Sequence, residues 1–226
     1  MYYFIIGSCL GSFLCVLAER LPIHQPIVIS RSKCNHCQRC LHFWEMIPLF
    51  SALLLKFRCH SCQQKFSTSY FWGELIYGII FWFSFTQEKK WITLLWLTSC
   101  FLLSLVDIYY LLLEVKLFYP THLALTILML KSQQPIYWIS IVCFLLICLI
   151  ILLFFRNSIG LGDLIILAFW VPWLTPIQLA ELLFLSSSSA LIIYTILFFT
   201  GKRSIKIIKL PFIPFLSLGL FISYFI

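Results

Sequence analysis

Residues 91–113 read WITLLWLTSCFLLSLVDIYYLLL, an apolar run of membrane-helix length interrupted by one carboxylate, Asp107. An α-helix rises 1.5 Å per residue, so about 20 apolar residues cross a hydrocarbon core roughly 30 Å thick. Residues 136–155, IYWISIVCFLLICLIILLFF, are a second such run and carry no charge. Across the 226 residues, 62% are hydrophobic, 11% are charged and the mean hydropathy is +1.01. A soluble domain averages about 45–50% apolar residues, so that class is excluded. The expected fold is an all-α polytopic membrane protein of about eight transmembrane helices, near 1–18, 70–86, 91–113, 117–130, 135–155, 163–180, 182–199 and 210–226. The first segment, MYYFIIGSCLGSFLCVLA, has neither a basic start nor a clear A-x-A site, which predicts a retained helix rather than a signal peptide. Gly7 and Gly11 in that helix, and the run SSSSA at 186–190, predict close helix packing.

The net charge of +8 follows a topological pattern. With the N-terminus outside, thirteen of the sixteen Lys and Arg fall in inner segments, mainly 19–69 and 201–209, and three in outer loops. Such a bias orients membrane proteins, and it accounts for the basic balance without nucleic acid, for which no basic stripe with interleaved aromatics is present. Residues 19–69 then form a small cytoplasmic loop between the first two spans. The expected division is 1–90, an N-terminal region with this loop, and 91–226, a region of helices bearing the aspartates.

The loop holds Cys34-x-x-Cys37 and, after 21 intervening residues, Cys59-x-x-Cys62. Four thiolates at this spacing predict a tetrahedral Zn²⁺ that folds a segment with little core of its own. Cys40 adds a third C-x-x-C step and is expected to be spare. His36, His42 and His60 are alternative ligands. Disulfides are disfavoured in a cytoplasmic loop, and no fourth cysteine follows at the spacing of an iron–sulfur ferredoxin.

The chain has two aspartates, Asp107 and Asp163. Asp107 lies late in the third span and Asp163 opens the sixth, so the charge-derived topology puts both near the cytoplasmic face. Two carboxyl groups that approach each other favour sharing one proton, the arrangement of an acid–base pair that activates water. Gly160 and Gly162, lacking Cβ atoms, offer a surface for close substrate approach beside Asp163. Other uses fit as well. Asp163 is suited to cap its helix, and the two aspartates could form a proton path in a transporter. Glu114, seven residues beyond Asp107, is a competing carboxylate. A membrane thiol oxidoreductase is a further rival, though it needs its C-x-x-C pairs at the outer face or beside a quinone.

Taken in order, these motifs resemble the type IV prepilin peptidases, in particular the short late-competence enzymes of Gram-positive bacteria. GSFLCVLAERLP at 11–22 is similar to the family's opening motif. RSKCNHCQRCLHFWEMIPLFSALLL followed by CHSC resembles its zinc loop, and YFWGEL at 70–75 the start of its second span. Asp107, and Asp163 in Gly160-Leu161-Gly162-Asp163, match its two catalytic aspartates. The resemblance implies a G-x-G-D intramembrane aspartic peptidase. It would cut short basic leaders from prepilins or pseudopilins after a glycine, at the cytoplasmic face of the bacterial cell membrane. Many members also methylate the new N-terminus with S-adenosylmethionine, using the zinc-containing N-terminal region, where Glu45 and Glu74 match acidic positions. The sequence departs from the pattern at Cys15, in place of Asn; at Asn35, in place of Pro; and at Phe57, in place of Gly. It also lacks the customary Pro after Asp107.

Overall fold

The computed structural model describes residues 1–26, 32–34, 36–154, 160–199 and 210–225. Asn35, Arg156 and the basic 201–209 segment therefore lie outside the described residues. The described chain is helical and contains no strand, only two isolated bridges. The helices are α1 (Tyr2–Arg20), α2 (Phe50–Leu54), α3 (Ser69–Thr86), α4 (Lys90–Tyr110), α5 (Val115–Lys131), α6 (Trp138–Phe154), α7 (Leu161–Trp170), α8 (Pro176–Phe199) and α9 (Ile213–Phe225). Three of them, α1, α4 and α8, are long and apolar enough to cross a membrane. The chain is an all-α protein with several such apolar helices.

The sixth expected span differs. Instead of one helix over 163–180, α7 stops at Trp170, a 3-10 turn occupies Val171–Trp173, and α8 starts at Pro176. Pro172 has no N–H to continue an α-helical ladder. Its carbonyl accepts the Tyr137 N–H (2.9 Å), and the Leu174 carbonyl accepts the Ser140 hydroxyl (2.6 Å), so the break is held against α6. The third span is also shorter than expected. α4 ends at Tyr110, and Leu111 adopts a left-handed φ of 54°.

The chain divides into two compact units, Met1–Thr98 and Ser99–Ile226. In the first, α1 and α3 pack antiparallel at glycine distance. A Cβ on Gly7 would lie 2.5 Å from Phe81 Cβ, and one on Gly11 would lie 2.9 Å from Tyr77 Cβ. The Leu49 N–H donates to the carboxylate of Glu74 (2.8 Å), Ser12 lies near that carboxylate, and Tyr70 donates to Glu19. In the second unit, α8 and α9 approach through small residues. A Cβ on Gly219 would meet the Leu182 carbonyl oxygen at 2.7 Å and Ser186 Oγ at 2.9 Å.

Candidate active site and metal centre

In the first unit, the sulfurs of Cys34, Cys37, Cys59 and Cys62 all lie within 4.8 Å of one another. Thiolates bound tetrahedrally at about 2.3 Å from zinc stand about 3.8 Å apart. The Cys34–Cys62 pair is at 3.8 Å and the Cys37–Cys59 pair at 4.0 Å, so the four donors fit that ion. Each C-x-x-C is a knuckle closed by backbone bonds. The Cys34 N–H donates to Arg39 O and the Cys59 N–H to Gln64 O, both at 2.9 Å. Backbone N–H groups of Cys37 and His36 draw the Cys34 thiol down, and those of Cys62 and Ser61 hold Cys59 at about 6. Both shifts favour the thiolate, the metal-binding form, while Cys62, despite the Gln64 N–H, is pushed up to about 11 by burial and the neighbouring thiols.

The two knuckles are one motif used twice. Lys33 bridges Cys40 as Arg58 bridges Lys65, and Gln38 and Gln63 each take a φ of 56°. Cys40 thus occupies the position of Lys65, on the exposed outer edge and outside the sulfur cluster. The repeat is visible as KC-x-x-CQ and RC-x-x-CQ, a register that pairing cysteines by spacing alone overlooks. His42 and His60 pack on Trp44 instead of joining the sulfurs.

Glu45 and Glu74 brace this loop. The Glu45 carboxylate accepts from Arg39 Nη2 (2.6 Å) and the His42 N–H (2.7 Å), and Glu74 accepts from the Leu49 N–H. Cys15 is fully buried in α1. Phe57 has a φ of 58°, the left-handed region that glycine occupies without a Cβ clash. Its ring lies against Phe71 (5.4 Å) and Phe66 (6.1 Å), contacts that glycine would lack.

Both aspartates belong to the second unit. Asp107, only 7% exposed, sits one turn before the end of α4. Its Oδ2 accepts the Ile213 N–H at 2.9 Å, with the Phe212 N–H close by. Asp107 thereby satisfies a donor at the start of α9 that has no partner within that helix. Asp163 is in the first turn of α7, and it lies close enough to Asp107 to feel its charge. Among the described residues no hydrogen bond reaches its carboxyl group. Gly160, rather than Asp163, is the N-cap of α7.

The two glycines make room for the protein's own atoms. A Cβ on Gly160 would lie 3.1 Å from Asp163 Oδ2, and one on Gly162 would lie 3.2 Å from Leu113 Cβ. Gly162 thus lets the turn after α4 approach the start of α7. Glu114 is the N-cap of α5 and accepts from the Lys116 N–H at 3.4 Å. At the far end of α7, Trp170 Nε1 donates to His122 Nε2 (3.0 Å), and His122 Nδ1 bonds Phe118 O (3.1 Å). His122 is 1% exposed and both ring nitrogens are satisfied, so it works as a neutral link between α5 and α7. A single histidine in an apolar helix has no partner visible in the sequence, because Trp170 lies 48 residues away.

A family model described as the bacterial peptidase A24 N-terminal domain matches residues 5–87. The chain is 42% identical to the prepilin leader peptidase/N-methyltransferase of Myxococcus xanthus, over 36% of this chain and 24% of that protein. It is 40% identical to the enzyme of the same name from Bacillus subtilis, over 34% of this chain and 32% of that protein. The chain is thus similar to type IV prepilin leader peptidases, most strongly over residues 5–87. A more distant family relative extends the match beyond the N-terminal unit. The type 4 prepilin-like proteins leader peptide-processing enzyme of Escherichia coli O78:H11 is 28% identical over 94% of this chain and 88% of its own length. The matches to the first two relatives thus span about a quarter and a third of their lengths. No solved structure matches the chain. The family names concern leader processing, and nothing among them supports the transport reading.

Proposed function

We propose that the protein is an aspartic endopeptidase of the membrane that removes short basic leaders from prepilin-like and pseudopilin precursors. The observation that carries this reading is that Asp107, near the end of α4, and Asp163, in the first turn of α7, belong to one apolar helical unit in which Leu113, just past α4, lies beside Gly162. Asp107, whose Oδ2 accepts the Ile213 N–H, serves as the anionic base. Asp163 faces that charge and carries the shared proton. A water between them gives its proton to Asp107 as its oxygen attacks the scissile carbonyl, while Asp163 donates to the carbonyl oxygen. Asp163 then recovers that proton, and Asp107 passes the water's proton to the departing amine as the C–N bond breaks.

In this reading residues 91–226 form the peptidase and residues 1–90 the zinc-bearing region. Zn²⁺ held by Cys34, Cys37, Cys59 and Cys62 supplies structural cross-linking. The site opens at the cytoplasmic face of the bacterial cell membrane, where a substrate's apolar helix enters the bilayer while its basic leader stays outside. Exposed Gly160 borders the path of the extended substrate backbone, while Gly162 lets Leu113 close against the start of α7. Methylation of the new N-terminus with S-adenosylmethionine is the second activity we assign, on the strength of the relatives' names. Co-expression with a prepilin-like substrate, followed by the mass of its mature N-terminus, tests both. An uncut leader would refute the peptidase, and a cut but unmethylated N-terminus would refute the transferase alone.

A further inference from the structure

Residues 43–54 present a surface at odds with a loop immersed in water. Phe43 is 86% exposed, Phe50 59%, Leu53 58% and Leu54 61%, with Trp44 exposed beside them. Side chains of this kind are stabilised by leaving water, and contiguous apolar exposure marks a contact surface. The segment is also held at a particular depth. Leu49, next to the start of α2, donates its N–H to Glu74, and Glu74 lies against α1 at Gly11 and Ser12. Ser12 lies eight residues before Arg20, the last residue of α1, or about 12 Å in from that end of the helix. The chain therefore leaves α1 and folds back along the α1–α3 pair, setting α2 below the helix ends. Close by, a concavity of about 440 Å³ is lined by Leu54, Lys56, Arg58 and Lys65, with no carboxylate in its wall.

We propose that residues 43–54 are an interfacial anchor. Their aromatic and aliphatic side chains lie at the boundary between headgroups and acyl chains of the leaflet from which the metal loop emerges, while Lys56, Arg58 and Lys65 hold anionic lipid phosphates. Apolar side chains backed by cations are the chemistry of a segment lying in a membrane surface. Depth and charge both favour lipid over a protein partner. The bond to Glu74 draws the patch toward the bilayer, and a basic leader would be repelled by the basic concavity.

The test uses the full-length, zinc-loaded protein in phosphatidylcholine vesicles with or without phosphatidylglycerol. A benzophenone-bearing phenylalanine replaces Phe50 or, as a control, Ser61, and photo-adducts are identified by mass. Position 50 should label lipid, position 61 should not, and the Lys56→Glu/Arg58→Glu/Lys65→Glu variant should lose the extra labelling that phosphatidylglycerol brings. Hydrogen exchange on the unaltered chain gives a second readout, with amides 50–54 slowed at least about threefold by phosphatidylglycerol. Adducts to protein alone at position 50, or exchange insensitive to the anionic lipid, would overturn the anchor. Neither readout depends on leader cleavage, so the peptidase assignment stands or falls separately.

Discussion

The metal loop and the aspartate pair are both constellations of ionisable side chains, but they are assembled in opposite ways. Cys34 and Cys62, at the extremes of the cluster, are 28 residues apart, and each knuckle is closed by its own backbone within a few residues. Asp107 is held instead by the start of α9, 106 residues further along the chain, and feels the charge of Asp163 from the first turn of α7. The loop can form wherever its short chain and a metal are present. The aspartate pair needs the packing of a whole helical unit. The loop should therefore tolerate damage to the helices, while the pair should be sensitive to distant helix contacts.

The largest effect should come from the carboxylates. Asp107→Asn or Asp163→Asn should each lower leader cleavage by about a thousandfold or more, because an amide cannot exchange the proton. The double mutant should be little worse than either single, and zinc content should not change. Robust cleavage by either purified single variant would break the assignment. Gly162→Leu should come next. Its side chain would start 3.2 Å from Leu113 Cβ, so cleavage should fall about a hundredfold through displacement of Asp163, with the protein still inserted.

On the loop side, metal analysis should find about one zinc per chain. Cys34→Ser should lower that content, whereas Cys40→Ser, which alters the counterpart of Lys65, should not. Equal loss from both would show that the knuckle register is misread. A smaller effect is expected from Trp170→Phe, which takes the N–H from His122 and leaves a buried ring nitrogen unpaired. The cost should be about 1–3 kcal/mol of stability. If the α5–α7 link also positions Asp163, kcat should fall several-fold with KM unchanged. Smallest of all, Phe57→Gly should relieve about 1–2 kcal/mol of left-handed strain while losing two ring contacts, leaving zinc content and thermal stability nearly as they were.

The helical class, the apolar helices, the cysteine pairs and both aspartates are legible in the sequence because each is a local signal: hydropathy over one helix length, a spacing, or a lone charge in an apolar run. The break at Pro172 was legible too, yet the apolar background on both sides masked it and extended the expected span to 180. Glu114 looked like a rival carboxylate because helical spacing continued past Leu111, whose left-handed φ ends α4 and makes Glu114 the cap of the next helix. The glycines beside Asp163 were visible as missing Cβ atoms, but what fills that space was not. Leu113 and the Asp163 carboxyl group itself do so.

What the sequence determined by itself is therefore which residue types exist to do chemistry and which segments avoid water, since both depend on composition over short windows. Only the tertiary structure decided that Asp107 spends one oxygen on the start of α9, that His122 and Trp170 join α5 to α7, and that Glu74 draws the Leu49 turn down along α1 and α3. Each of these is a directional hydrogen bond between groups far apart in the chain. A buried polar group must find such a partner, and which partner it finds depends on helix packing that no local window contains.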